Sequence, residues 1–294
     1  MTFLKNILTP IFLIVNINIH GNKINLKKHE IKINDEYFYV YDFHKNKNTK
    51  NTFVILPSYS YFDAKSYIEK KIYKKYEPNK DFEILINELC KKDSRVIVIE
   101  YFGYNNSGET KRERTSKNIC EEIHIALSKL NIKKYFLIPH SISGLYSLDY
   151  ITKYSDEIKG IIGIDITLPY YYLEEYNSNK EYLKNKFNTE GQKISEAYIK
   201  MYDYFWTISN HLNDFKFNNN LPVLLFTSTA LIDSINEEIK NKTLKTKVID
   251  YLKSKITNKK IQNIITLKGT HYLHHSQYKY MSENIIKFAN KYNK

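Results

Sequence analysis

An α/β architecture, with a mostly parallel central sheet flanked by helices, is what this sequence predicts, and three observations predict it. Short, continuous apolar runs recur at 52–56, 95–99, 134–138 and 158–164. Runs of that length suit strands covered on both faces. Between them, segments 81–91, 116–130 and 144–154 carry apolar residues at three- and four-residue spacing, the period of a helix with one buried face. Strand and helix therefore alternate, as crossover helices over a parallel sheet require.

The remaining elements follow in chain order. An apolar run at 7–15 stands behind Lys5 and ends at Asn16 and Asn18. It is shorter than the roughly 20 residues that a membrane-spanning helix needs, and no small-residue cleavage site follows it. The plain reading is a leading strand or helix packed on the core. The alternative is an apolar leader or membrane anchor within residues 1–25, which leaves both a cytoplasmic and a membrane-associated protein open. Segments 30–34 and 37–43 alternate in polarity and read as an antiparallel pair. After 158–164 the rhythm stops. Residues 169–220 show no buried-strand pattern and are crowded with aromatics, among them Tyr170, Tyr171, Tyr172, Tyr202, Phe205 and Trp206. A helical insertion is expected there, either a satellite core or a lid over the carboxyl ends of the strands, where open α/β sheets bind ligands. Its position and aromatic content favour the lid. Runs at 222–226 and 261–267 and a final helix at 276–292 complete one domain over 26–294.

Composition narrows the function classes. With 42% hydrophobic and 15% aromatic residues, the chain is neither disordered nor fibrous. Its two cysteines, Cys90 and Cys120, exclude a disulfide-built scaffold and a four-cysteine zinc site. The net charge of +13 invites a nucleic-acid reading, but only Arg95, Arg112 and Arg114 among the 45 basic residues are arginines. Arginine is the residue that reads phosphates and base edges through its fork. Dispersed lysines, densest at 65–80, read as a solvated surface, so no specific nucleic-acid partner is expected.

The chemistry lies elsewhere. The run at 134–138 ends in Pro139-His140-Ser141-Ile142-Ser143-Gly144 and passes directly into a helix. A serine on such a strand-to-helix turn is a nucleophile elbow, normally G-x-S-x-G, whose flanking positions must be small because the two backbones approach closely. Centred on Ser141 those positions are Pro139 and Ser143. Centred on Ser143 they would include Leu145, which would clash. Ser141 is therefore the nucleophile candidate.

On these residues the chain resembles the α/β-hydrolase fold family of the serine-esterase type, from about residue 30 onward. "RVIVIEYFGYNNSGETKRERT" is similar to that family's strand and G-Y-G-x-S turn, with Asn105 at the second glycine. "FLIPHSISGLYSLDYITKYSDEIKGIIGID" is similar to the elbow, its helix and the next strand, with Pro139 in place of the first elbow glycine. "ITLKGTHYLHH" is similar to the last strand and its catalytic-histidine loop.

The resemblance implies His271 as general base, with His274 and His275 as nearby competitors, and a base is needed because a free serine hydroxyl is a poor nucleophile at neutral pH. For the acid it implies two positions. Asp165 closes the run at 158–164, and Asp233 follows the run at 222–226. Asp165 is preferred slightly, since a carboxylate ending a buried run needs a partner and a histidinium supplies one. The oxyanion donors implied are the backbone N–H groups of Ile142 and Tyr59, the latter in a loop with Ser58 where glycine is usual. His140 and His124 read as structural. His271 and His274 lack acids or cysteines at ligand spacing, so no metal and no cofactor are expected. The function implied is hydrolysis of an apolar carboxylic ester through an acyl-enzyme, with peptidase, thioesterase and acyltransferase activities left open because they use the same constellation. A catalytically inactive member that binds a ligand or partner on the same fold is the alternative.

Overall fold

The computed structural model describes residues 13–17, 24–58, 77–167, 212, 214–229 and 249–293. Tyr59, Asp233, most of the expected lid at 169–220, most of the leader and residues 65–76 of the lysine-rich segment lie outside the described residues.

The leading part is antiparallel. β1 (Leu13–Ile17) pairs with β2 (Ile24–Ile33), and β2 with β3 (Glu36–His44). A two-residue turn joins β2 to β3, with Asn34 in the left-handed region at φ 54°, a conformation asparagine tolerates and tight hairpins demand. No helix among the described residues is long and apolar enough to cross a membrane.

The parallel part comprises β4 (Asn51–Leu56), β5 (Ser94–Glu100), β6 (Tyr135–Pro139), β7 (Ile158–Ile164), β8 (Val223–Ser228) and β9 (Gln262–Leu267). The sheet order is β1-β2-β3-β5-β4-β6-β7-β8-β9, so β6, whose end carries Ser141, runs near the centre. Among the described residues the helices include α1 (Pro78–Asp81), α2 (Glu83–Lys91), α3 (Ser116–Lys129), α4 (Ser143–Lys153), α5 (Leu273–Ser276) and α6 (Tyr278–Tyr292). The helix expected over 81–91 is thus split, with Phe82 between α1 and α2, and the final helix is preceded by the short α5.

Two cores sandwich the sheet, and the period-2 alternation of each strand assigns residues to them. Val54, Leu56, Ile97, Ile99, Leu137 and Ile161 face α3 and α4 in one cluster with Ile119, Ile123, Leu127, Leu145 and Leu148. Phe53, Ile55, Val96, Val98, Phe136 and Ile162 belong to the other, with Leu85, Ile86 and Leu89 of α2 and Met281, Ile285 and Phe288 of α6. This double burial is why the strands are continuous apolar runs.

Candidate active site

The strands β4, β6, β7 and β9 end on one edge of the sheet, and of the expected site residues Ser141, Ile142, Asp165 and His271 lie there. The centre is the turn from β6 into α4. Ser141 is buried and sits at φ 54°, left-handed for a residue with a Cβ. Such backbone costs on the order of 1–3 kcal/mol and persists only where its surroundings hold it. Those surroundings are visible. Ser141 N donates to Ile164 O at 3.2 Å, while Ser141 O accepts from Thr167 N at 2.8 Å and Gly144 N at 2.9 Å. The position that must be small is Gly144. A Cβ there would lie 2.7 Å from Ile166 Cβ and 2.9 Å from Thr167 O. The tight approach is therefore one residue beyond Ser143, where the elbow pattern placed it.

Asp165 follows β7, also left-handed at φ 42°. Its Oδ2 accepts from His271 Nδ1 at 2.8 Å and from Ser228 Oγ at 2.9 Å, and its Oδ1 accepts from Ser228 N at 2.9 Å. His271 follows β9. Because Nδ1–H is used on Asp165, its Nε2 lone pair is left to accept a proton. The two side chains are only 14% and 16% exposed. The His271 ring packs on that of His140, centroids 4.8 Å apart, so it stands beside the elbow. Among the described residues Ser141 Oγ makes no hydrogen bond; serine–histidine contacts often tighten only around substrate.

His140 holds the base loop from beneath, its Nε2 donating to His271 O at 3.1 Å. Burial, with His274 and His271 alongside, holds its imidazole well below the ordinary range, so the ring is neutral. His124, by contrast, stacks on Tyr154 and pairs with Glu157 at 2.8 Å, away from this edge. The Ile142 N–H, at the start of α4, has no acceptor among the described residues, and a helix start suits a developing anion. The loop leaving β4 is fastened to the elbow. Ser143 Oγ donates to Pro57 O, Tyr101 OH meets Ser143 Oγ at 3.1 Å, and Tyr104 OH donates to Ser58 O at 3.3 Å.

No family model matches the chain. One curated relative, the uncharacterized protein YbdG of Bacillus subtilis (strain 168), is 33% identical over 136 residues, 46% of this chain and 37% of its own length. The match thus spans little more than a third of that relative. Solved structures align far more completely. Smu.1393c from Streptococcus mutans superposes with a TM-score of 0.60 at 16% identity, covering 90% of this chain and 98% of its own. Epoxide hydrolase VrEH1 from Vigna radiata gives 0.59 at 11% identity, over 90% and 98%. Naproxen esterase from Bacillus subtilis gives 0.56 at 13% identity, over 90% and 92%.

The chain has the α/β-hydrolase fold. At these identities the likeness establishes architecture, and several proteins that share it are hydrolases by name. Within the α/β-hydrolase fold of this chain, Ser141, Ile142, Asp165 and His271 meet at one edge. Ser228 and Asp81 went unnoticed in the sequence. Ser228 ends β8 and orients Asp165, and only its place at a strand terminus hints at that. Asp81 lies against His274 and His275, so His274, read from the sequence as having no acid at ligand spacing, has one in space. Its distance in sequence hid it.

Proposed function

We propose that this chain is a serine hydrolase that cleaves carboxylic esters bearing an apolar group, with Ser141 as nucleophile, His271 as general base and Asp165 as the acid that orients it. The observation that carries the reading is the 2.8 Å contact of His271 Nδ1 with Asp165 Oδ2 beside a left-handed serine. Ser141 Oγ attacks the ester carbonyl carbon while His271 Nε2 takes its proton. The carbonyl becomes an oxyanion that the N–H groups of Ile142 and Tyr59 stabilise. A backbone N–H fixed at a helix start, as that of Ile142 is, needs little reorganisation as charge develops in the transition state. Collapse breaks the C–O bond to the alcohol, which leaves with the proton from His271. Water then attacks the acyl-enzyme, giving its proton to His271, and the acid departs as Ser141 is restored. Every step uses side chains and water of this site, and none calls for a cofactor.

The apolar preference rests on the aromatic segment 169–220, read as a lid. A panel of p-nitrophenyl esters of graded acyl length tests both parts, assayed with wild type and Ser141→Ala. Hydrolysis that peaks beyond acetate and vanishes in Ser141→Ala is expected. Undiminished turnover by Ser141→Ala would refute the mechanism, and no turnover by wild type on any ester would favour a ligand-binding protein.

A further inference from the structure

Behind the His271 loop, α1 and α5 meet at a second group of ligating side chains that the proposed reaction does not use. His274 Nε2 lies 3.2 Å from Asp81 Oδ2, and His275 Nε2 lies 2.8 Å from Asp81 Oδ1. All three ligating atoms fall within 4.8 Å of one another. Ligand atoms bonded to tetrahedral zinc at about 2.0–2.1 Å are themselves about 3.3 Å apart. Small side-chain rotations would therefore admit an ion among them.

We propose that Asp81, His274 and His275 bind one divalent transition-metal ion of the zinc class, which clamps α5 and the adjoining His271 loop to α1. Two imidazoles and a carboxylate suit zinc, whereas magnesium and calcium prefer all-oxygen sets.

The rings are braced for this arrangement. His274 is fully buried and stacks on Phe82, centroids 4.1 Å apart. His275 stacks on Tyr272 at 5.4 Å, and 47% of its side chain is exposed. That opening gives the ion an entry path and leaves room for water as a fourth ligand. The set comprises Asp81, His274 and His275 and does not include His271, whose Nδ1 lies on Asp165. The site is independent of the esterase reading and is tested without assaying activity.

Tag-free, full-length protein is stripped with chelator and titrated with zinc chloride calorimetrically, and its melting temperature is followed with and without zinc. Wild type is expected to take up one equivalent and to melt higher with zinc. His275→Ala, at an exposed position that should not disturb folding, should bind roughly tenfold or more weakly and lose the thermal shift. His124→Ala, which removes a histidine–carboxylate pair elsewhere, should behave as wild type. Asp81→Asn should match His275→Ala if it folds, and His275→Ala decides the matter if it does not. Absence of zinc binding by wild type, equal binding by His275→Ala, or equal competition by magnesium would overturn the assignment.

Discussion

Ser141 and Asp165 end neighbouring strands, and both sit in backbone that favours glycine, at φ 54° and φ 42°. Paired strain of this kind is held in place by the hydrogen bonds that cross between the two turns. Asp165 carries the orienting role in this account, so Asp165→Asn should lower kcat by about 10³–10⁴-fold while Asp233→Asn stays near wild type; steady-state kinetics on one aryl ester compare them directly. Gly144 is the steric keystone. Gly144→Ala should destabilise the fold by about 1–3 kcal/mol, read as a lowered urea midpoint, because Ile166 and Thr167 must retreat from the new Cβ. At this scale Ser141 and His271 could be singled out in the sequence as candidates, since each sits beside a strand end within a local motif. Asp165 was preferred only slightly over Asp233 in the sequence, because the choice depends on which strand end His271 lies beside. Ser228 and Asp81 act only through contacts across long sequence separations, to which local patterns are blind.

The strands and helices were nearly all legible as elements because double-sided burial leaves continuous apolar runs and one-sided burial leaves a helical stripe. The misreadings fall where backbone chemistry outranks pattern. Pro78 starts α1 early at a position where its missing N–H costs nothing, and a break at Phe82 restarts the helix. An element-level prediction concerns β3. Asp42 there accepts from Arg95 Nε at 3.0 Å and Nη2 at 2.8 Å, with His29 and His44 facing it at 3.5 and 3.6 Å. Burial raises its carboxyl, yet His29, His44 and Arg95 together bring it well below the ordinary value. A depressed carboxyl contributes its stability above the unfolded pKa of about 3.9 and loses it as pH falls below that. Urea unfolding of wild type and Asp42→Asn should therefore differ clearly at about pH 7, with a gap that begins to narrow only below about pH 3.9 and persists at about pH 3. A gap that widened on acidification would contradict the assignment.

At the scale of the whole molecule, two apolar cores grip a nine-stranded sheet, and the rigid edge they create is what lets strained turns persist. The charge of +13 plays little part in this. All three arginines are engaged in internal ion pairs, Arg95 with Asp42, Arg112 with Glu121 and Glu122, and Arg114 with Glu122. Lysines carry the excess. The two thiols are equally remote from function: burial pushes Cys90 and Cys120 up to about 12, so neither competes with Ser141 as a nucleophile near neutral pH. The central claim is that Ser141 is an activated nucleophile. Intact-mass analysis and peptide mapping after treatment with a fluorophosphonate test it most directly. A single adduct on Ser141, abolished by unfolding the protein first and strongly slowed in His271→Ala, is the predicted result; an unlabelled Ser141 in folded wild type would contradict it.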